Sequence, residues 1–337
     1  MKTYLLPESG SFYKANLHCH STVSDGKWTV EEIKKNYMSK GYSVIAYTDH
    51  GIFVNHNDLA EDGFLPLNGY EIDITNKAEW KSPESKTCHM CLIALDGDKV
   101  EQRIAYRSKH LEKNMDIAHI AEGQEIRRLE YTPEVISGIM REAVEEGFFV
   151  TYNHPVWSLE TKDEYCSYHG MNAMEIVNFG CVCVGNDDRN GHEYDDMLRG
   201  GERIFCIATD DNHDAHPMGS PYNDSFGGFT MIKADRLTYG DITKALKDGS
   251  FYASEGPEIN ELWFEDGRVH ITCSEAVKVA YTTGMRRAKA KYPEDTETIT
   301  EADFEVRPTD VYFRITVYDK SGKAAYTNAY FVDELPL

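Results

Sequence analysis

Histidine and carboxylate side chains at short spacing carry the chemistry of this sequence. His18 and His20 stand two residues apart at the end of an apolar segment. On an extended backbone, residues two apart point to the same side, so both imidazoles can bind one metal ion. Two histidines at a strand end without any metal would explain this pair equally well, so the pair needs support from elsewhere in the chain.

Further apolar segments end in side chains of the same kinds. The motifs are Thr48-Asp49-His50, Tyr70-Glu71, Cys88-His89, Asn153-His154-Pro155 and Asp210-Asp211-Asn212-His213. In a barrel of parallel strands the carboxyl ends converge on one face, where residues distant in sequence gather. Random placement of the 13 histidines would not be expected to produce this pattern. The sequence therefore predicts one cluster of metal ligands.

The elements that would position these ligands alternate along the first three quarters of the chain. Short apolar segments that alternate with helical patterns are typical of parallel strands joined by crossover helices. The predicted strands are Tyr13–His18, Tyr42–Thr48, Leu65–Ile74, Cys88–Leu95, Phe148–Asn153, Ala173–Asn178, Arg203–Thr209 and Gly228–Lys233. The predicted helices are Val30–Lys40, Asp98–Glu122, Pro133–Glu146, Asp187–Arg199 and Tyr239–Asp248. This order indicates an α/β fold with a TIM-like barrel, from which the charged second helix stands out as an insertion or lid.

The pattern changes near Ser254-Glu255-Gly256-Pro257, after which apolar residues alternate with a period of two. We therefore expect a barrel over residues 1–256 and a small antiparallel β domain over residues 257–337. Ala288–Asp303 is expected to form a long loop. The predicted strands of this part are Glu261–Phe264, Arg268–Ser274, Lys278–Thr283, Val311–Asp319 and Tyr326–Phe331.

The motifs resemble those of the PHP (polymerase and histidinol phosphatase) family over roughly residues 16–255. The resemblance is carried by His18-x-His20, Ser24-Asp25-Gly26, Thr48-Asp49-His50, Asn153-His154-Pro155 and Asp211-x-His213. It implies a distorted (β/α)7 barrel that binds two or three divalent ions of zinc, manganese or iron. The Ser-Asp-Gly form is similar to the branch that acts on nucleotide phosphates, whereas histidinol phosphatases commonly have a histidine in place of Asp25.

The resemblance also implies how the ligands divide among the metals. One metal would be held by His18, His20, Glu71 and Asp211, and Glu71 would bridge to a second metal on His89 and His154. A third would use Asp25, His50 and His213. His89 has an alternative role as a core histidine between Cys88 and Cys91.

Other polar residues have less defined roles. Asp49 and Asp210 adjoin ligands and are expected to orient them or bond the backbone. His56 would protonate a leaving alkoxide or lie in an exposed loop. Arg107, Arg127 and Arg128 would bind a substrate phosphate or line a solvated helix face. Surface or packing roles are expected for the remaining histidines, His110, His119, His169, His192 and His270, and His216 has no assigned role.

Charge and cysteine content restrict the partners. The formal net charge of −22 disfavours long duplex nucleic acid and anionic membranes, and favours a small phosphorylated substrate that metals attract locally. The eight scattered cysteines are typical of reduced thiols, with a zinc or redox site at Cys88 and Cys91 as the alternative. Without a signal peptide or an apolar run of about 20 residues, a cytoplasmic location is expected.

The leading hypothesis is a metal-dependent phosphoesterase in which a metal-bridging hydroxide attacks a small phosphate monoester. Nucleotides such as a 3′,5′-bisphosphate, or the end of a short oligonucleotide, are the candidate substrates. The same ligands would also serve a carboxyl ester or carbamate hydrolase. A third hypothesis is a non-catalytic binding protein whose barrel keeps metals for stability. The sequence has no GxSxG or P-loop motif that would indicate a serine hydrolase or an NTPase.

Overall fold

The computed structural model describes residues 2–76 and 84–336. The strands are β1 Thr3–Tyr4, β2 Ser11–Asn16, β3 Val44–Tyr47, β4 Leu65–Thr75, β5 Thr87–Ala94, β6 Phe148–Asn153, β7 Ala173–Asn178, β8 Phe205–Thr209, β9 Phe229–Ala234, β10 Phe251–Ser254, β11 Ile259–Glu265, β12 Arg268–Ala276, β13 Lys278–Thr283, β14 Ala288–Lys291, β15 Ile299–Glu305, β16 Tyr312–Tyr318, β17 Ala324–Thr327 and β18 Tyr330–Phe331. The α-helices are α1 Val30–Met38, α2 Lys109–Lys113, α3 Pro133–Glu145, α4 Lys162–Tyr165, α5 Phe179–Cys183, α6 Gly191–Arg199 and α7 Tyr239–Asp248. The fold is therefore mixed α/β, and most of the described chain with regular structure is strand.

One large sheet runs through the described chain in the order β14-β13-β16-β17-β10-β9-β2-β3-β4-β5-β6-β7-β8. The neighbours β2-β3-β4 and β6-β7-β8 are parallel, as the sequence predicted. In contrast, β5 is antiparallel to both β4 and β6, and β9 is antiparallel to β2. A parallel pair needs a crossover of about a dozen residues or more, and the connection from β4 to β5 is shorter. The prediction of an all-parallel barrel is corrected here.

In the large sheet, β9 and β8 lie at the two ends of the series that contains β2 to β7, and these two strands approach each other. The Thr230 hydroxyl on β9 donates to the carbonyl of Ala208 on β8 at 3.0 Å and accepts from its backbone N at 3.3 Å. No strand ladder joins β8 to β9 within the described residues. The sheet thus curves towards closure, and a regular (β/α)7 barrel is not evident.

The helices predicted from Val30, Pro133 and Tyr239 begin at those residues, each after a threonine that caps the helix, whereas α6 begins at Gly191 instead of Asp187 and has no side-chain cap. Helix α1 begins at a capping box formed by Thr29 and Glu32 and buries Ile33 and Tyr37. The helix predicted over Asp98–Glu122 is wrong, because only α2 is helical there. Around residues 102–106 the chain instead forms isolated bridges, from Gln102 to Ile120 and from Tyr106 to Arg127, and Gln102 and Tyr106 are buried.

The last quarter of the chain is antiparallel, as predicted. A second sheet has the order β1-β11-β12-β15, so the N-terminal strand pairs with strands from the end of the chain. The predicted loop Ala288–Asp303 is corrected, because β14 pairs with β13 and β15 pairs with β12. β17 pairs with β10, which connects this region to the large sheet. No helix among the described residues is long and apolar enough to cross a membrane.

Candidate metal centre

His18 and His20 turn to the same side of an extended segment that continues from β2. Cys19 between them faces the opposite way into the core, and its backbone O accepts from Thr48 N at 2.9 Å. The Nε2 atoms of the two histidines are 3.1 Å apart. Asp211 Oδ1 lies 3.2 Å from His18 Nε2 and 3.0 Å from His20 Nε2. The predicted grouping of these three side chains is therefore present.

Glu71 lies at the centre of the cluster and is fully buried. Its Oε1 is 3.2 Å from His18 Nε2, 3.1 Å from His89 Nδ1 and 3.6 Å from His154 Nε2. Its Oε2 is 3.4 Å from His20 Nε2 and 2.9 Å from His50 Nδ1. One carboxylate thus faces five imidazoles, a position suited to bridging two metal ions. The two oxygens of Glu71 face different histidines.

The expectation that every ligand stands at the carboxyl end of a parallel strand is wrong for two residues. Glu71 lies in the middle of β4, and His89 lies near the amino end of the antiparallel strand β5. In this hairpin His89 pairs with Asp73, and Glu71 pairs with Cys91. Because the strands run in opposite directions, the start of β5 lies beside the end of β4. His89 reaches the cluster by that route and is not simply a core histidine.

Two candidate ligands occupy unusual backbone conformations. His154 has φ 28° and Asp211 has φ 50°, values that side chains other than glycine rarely adopt. Asp211 N donates to His18 O at 3.0 Å, which fixes this turn against the first histidine motif. Strained backbone of this kind persists where surrounding contacts hold it, and it concentrates at functional sites.

An outer group lies next to the central one. Asp25 Oδ1 is 3.6 Å from His213 Nε2 and 3.9 Å from His50 Nε2, and the His20 ring stacks on both His50 and His213 at 4.4 Å. The side chains of Asp25 and His213 are 37% and 35% exposed, so the cluster opens to solvent on this side. A Cβ on Gly26 would lie 2.3 Å from His20 O, which explains the glycine after Asp25.

The side chains form four overlapping sets that are close enough to share an ion. They are His20 with Asp25, His50 and His213; His18 with Glu71 and His154; His18 with His20 and Asp211; and His50 with Glu71 and His89. Asp25 Oδ1, His50 Nδ1 and Glu71 Oε2 are buried without a hydrogen-bond partner of suitable geometry. Buried polar atoms are normally satisfied, so three orphaned atoms that converge on one region fit metal ligands. Imidazole and carboxylate ligands suit zinc, manganese or iron.

The electrostatics keep the carboxylates ionised but divide the imidazoles. Burial alone would lower the pKa values of His50 and His154, but contact with Glu71 raises them to about 10 and about 9, so these two rings would release a proton on binding a metal. Burial alone would raise the pKa of Glu71, but the imidazoles of His18, His89 and His50 hold it well below its usual value. The pKa of Asp25 is lowered to about 2 against the effect of burial, chiefly by His50, His20 and His213. Burial and the neighbouring His213 and His50 lower the pKa of His20 to about 4. The carboxylates therefore stay ionised and His20 stays neutral near pH 7.

Asp49 and Asp210 hold loops in place beside the cluster. Asp49 accepts hydrogen bonds from the backbone N and hydroxyl of both Ser21 and Ser24, at 2.6–3.0 Å. It thereby fixes the turn that carries Asp25. Asp210 accepts from Tyr37 and from three backbone N atoms at Phe226–Gly228, at 2.8–2.9 Å. Burial raises the pKa of Asp210 to about 7. Both contacts agree with orienting roles.

His56 is placed differently from either expectation. Its side chain is buried, so it is not an exposed loop residue. Its ring lies 4.9 Å from that of Tyr47, and its backbone N donates to Asn68 Oδ1 at 2.8 Å. None of the four ligand sets in the described part of the chain includes it. A role for His56 as the general acid receives no support from these contacts.

The segment that follows β5 supplies a histidine for which a surface or packing role was expected, and it packs against the cluster. His110 on α2 is buried, its ring stacks on His50 at 5.4 Å, and its Nε2 lies 3.8 Å from Asp25 Oδ2. Nearby, Asn114 Nδ2 donates to Val23 O at 2.8 Å. This segment therefore forms one wall of the outer group. The other four histidines expected at the surface or in packing are exposed or pack away from the cluster, namely His119, His169, His192 and His270.

Among the described residues, no hydrogen bond or ion pair connects Arg107, Arg127 or Arg128 with the candidate ligands. Arg127 makes a bidentate pair with Glu142 of α3, with both distances 2.8 Å. Arg107 and Arg128 are exposed. The solvated-surface alternative therefore describes them better than phosphate binding does.

Glu175 is a functional candidate that the sequence analysis missed. This fully buried carboxylate accepts from His18 Nδ1 at 2.8 Å and Thr209 Oγ1 at 2.6 Å through Oε1. Through Oε2 it accepts from His154 N at 3.0 Å and Asn178 Nδ2 at 2.8 Å. The bond to Nδ1 leaves His18 Nε2 free to bind a metal. A glutamate within the apolar strand Ala173–Asn178 was the available signal, because a buried charge needs partners.

Cys88 and Cys91 do not form a zinc or redox pair. Residues three apart on a strand point to opposite faces, and Cys88 packs in the core. Cys91 Sγ accepts from Asn153 Nδ2 at 3.1 Å, and burial raises the pKa of its thiol to about 11. All eight cysteines are free thiols, as the expectation of reduced cysteines requires.

Comparisons with known proteins were made for sequence and structure. No protein-family model and no curated protein matches the chain. A Bacteroides vulgatus two-domain protein containing a predicted PHP-like metal-dependent phosphoesterase is 16% identical, with 97% of this chain and 98% of that chain covered and a TM-score of 0.44. A Bifidobacterium adolescentis protein named as a metal-dependent phosphoesterase is 13% identical, with 65% and 94% covered and a TM-score of 0.36.

A third solved structure is a Chromobacterium violaceum amidohydrolase with bound sulfate and no metal. It is 15% identical, with 59% of this chain and 87% of that chain covered and a TM-score of 0.34. Solved structures similar to this chain thus include a two-domain protein that contains a predicted PHP-like metal-dependent phosphoesterase.

Proposed function

We propose that this protein is a metal-dependent hydrolase that cleaves a small phosphate monoester. The observation that carries the proposal is Glu71, a buried carboxylate whose two oxygens face five imidazoles. A buried carboxylate needs positive or hydrogen-bonding partners, and divalent cations would supply the positive charge while the surrounding imidazoles serve as neutral ligands. Two or three ions of zinc, manganese or iron would satisfy the nine candidate ligands, which are His18, His20, Asp25, His50, Glu71, His89, His154, Asp211 and His213.

Each part of the cluster has a task in this proposal. Divalent ions held there would supply Lewis acidity and lower the pKa of water. His18, His20, Glu71, His154 and Asp211 are almost wholly buried, so they would fix the positions of the central ions. The more exposed Asp25 and His213 line the side on which a substrate phosphate would arrive.

The substrate is proposed to be small and phosphorylated, with nucleotides as one class. The net charge of −22 repels polyanions at long range, while bound cations would attract a phosphate at short range. We also propose that the curved sheet is a distorted barrel over residues 1–256, with a β-rich domain over residues 257–337. The bonds between Thr230 and Ala208 support the barrel, and the second sheet, in which β11, β12 and β15 are joined among the described residues only by the short N-terminal strand β1, supports the division.

The test is a hydrolase screen on protein stripped of metal and reloaded separately with Mn²⁺, Zn²⁺ or Fe²⁺. We expect metal-dependent release of phosphate from at least one class of monoester, and its loss when a chelator is added. His18→Ala should abolish the activity and lower the metal content of the protein. His169→Ala, at an exposed position, should change neither. Activity confined to carboxyl esters or carbamates would overturn the choice of substrate. Full activity without metal would overturn the mechanism.

Replacing Arg127 tests whether this arginine, in the segment between β5 and α3, binds the substrate phosphate. Since Arg127 pairs with Glu142 near the surface, Arg127→Met should lower the free energy of unfolding by at most about 1 kcal/mol. The KM for a phosphate substrate should change by less than about twofold, because truncating an exposed pair leaves the cluster untouched. Steady-state kinetics and urea unfolding measure the two effects, and Glu142→Gln should reproduce the stability change. A tenfold rise in KM would instead show that Arg127 contributes to substrate binding.

A further inference from the structure

We propose that Trp157 is a specificity-determining residue whose indole binds a flat, apolar leaving group beside the metal centre. This inference rests on the proposed phosphoesterase function and specifies its substrate class. The residue follows the Asn153-His154-Pro155 motif by two positions.

The turn that carries Trp157 is held firmly. Asp188 accepts from Val156 N at 3.1 Å and from Trp157 N at 2.9 Å, using one oxygen for each. Asp188 is fully buried. Ser158 N donates to His154 O at 3.1 Å, which ties the turn to a candidate ligand. A buried carboxylate is thus committed to the backbone at the base of an exposed ring.

The indole lies directly against the candidate ligands. Its ring centroid is 5.0 Å from that of His154 with an interplanar angle of 85°, and 5.5 Å from that of His89 with an angle of 65°. Both are edge-to-face contacts, which aromatic rings favour. His89 and His154 both contact Glu71 Oε1, so the indole flanks the part of the cluster that would bind one of the central ions.

The same residue remains 42% exposed, unlike the ligands that it touches. Its neighbours Val156 and Leu159 are also exposed, at 37% and 48%. These three side chains add exposed apolar surface, here called the patch, to the turn that follows His154, and the Trp157 ring is the part that contacts the candidate ligands. An indole that served only to shield the histidines would gain more by being buried. Apolar surface next to a few converging polar groups is the usual composition of a ligand site.

The patch indicates which leaving group the centre would accept. The phosphate is drawn to the cations, so the rest of the substrate must extend away from them. A leaving group that extends over Trp157 meets an exposed aromatic ring. A flat ring can stack there, which is worth about 3- to 10-fold in binding, while a short aliphatic alcohol gains little.

Benzyl phosphate and ethyl phosphate test the proposal, because both release an alcohol and differ mainly in the ring. With the metal-loaded enzyme we expect Trp157→Ala to lower kcat/KM for benzyl phosphate about 10-fold, mainly through KM. Ethyl phosphate should change by less than about twofold, and Trp157→Phe should retain most of the preference for the ring. Tyr292→Ala, which removes another exposed ring (59% against 42% for Trp157), should leave both substrates unaffected.

Binding measurements separate this inference from the proposed function. Calorimetry with benzylphosphonate and ethylphosphonate, which the enzyme cannot hydrolyse, should show a preference for the benzyl compound that Trp157→Ala removes. If the wild type hydrolyses no phosphate monoester but keeps this binding preference, the proposed function fails and the aromatic platform stands. Equal losses for both substrates, no loss for either, or a fall in metal content in Trp157→Ala would overturn the platform.

Discussion

Replacing Glu71 by glutamine is expected to lower kcat by about 10³-fold or more, because metal-supplied stabilisation worth several kcal/mol is lost. Glutamine keeps the shape of the side chain but has no charge, and only one of its two terminal atoms can bind a metal. The two oxygens of Glu71 face different histidines, so both would be needed by a bridging ligand. Metal analysis of the purified variant should show at least one ion fewer per chain than the wild type.

The control for this variant is Glu101→Gln, which removes the same charge from an exposed side chain. It should have the metal content and the kcat of the wild type. Excess metal should not restore Glu71→Gln, because the missing ligand is part of the centre itself. If Glu71→Gln kept the metal content and activity of the wild type, the bridging role of this residue would be refuted.

Glu175→Gln should weaken metal binding about 10- to 100-fold, as is usual when the partner of a ligating histidine is changed. In all four hydrogen bonds the Glu175 carboxylate is the acceptor, whereas the NH2 group of a glutamine can only donate. At least one contact must therefore become donor against donor. Competition with a chelating dye measures the affinity, and kcat measured at saturating metal should recover to within a few-fold.

This recovery distinguishes a positioning residue from a ligand. Glu160→Gln is the matched control, since Glu160 is also a buried carboxylate but accepts from the hydroxyls of Tyr131, Tyr152 and Tyr168. It should leave the metal affinity unchanged, even if it alters stability. An unchanged metal affinity in Glu175→Gln, or a kcat that excess metal cannot restore, would contradict the positioning role.

The parts of the site that the sequence predicted depend on local geometry. His18 and His20 point the same way because alternate residues of an extended chain share a face. Asp211 and His213 follow β8, and His154 follows β6, which also agrees with the expectation for strand ends. These positions follow from short segments whose strand character is visible in the order of apolar residues.

The parts that the sequence did not predict depend on pairing between distant segments. The direction of β5 is set by its partners β4 and β6, and it brings His89 in from the strand's amino end. Gln102 is buried because its side chain bonds Phe53 N and Gly51 O, which no pattern within residues 98–122 reveals. Glu175 is satisfied by Asn178 of its own strand and by three residues of other segments, His18, Thr209 and His154. Such contacts appear only when the chain is folded.

The direct test is anomalous diffraction from crystals of the protein loaded with Zn²⁺ or Mn²⁺, recorded at the absorption edge of the metal. We expect at least two peaks, with one about 2.0–2.3 Å from the Nε2 atoms of His18 and His20 and another shared by Glu71 and His89. No anomalous peak among these side chains, or histidine rings that point to separate places, would contradict the metal centre and the hydrolysis proposed for it.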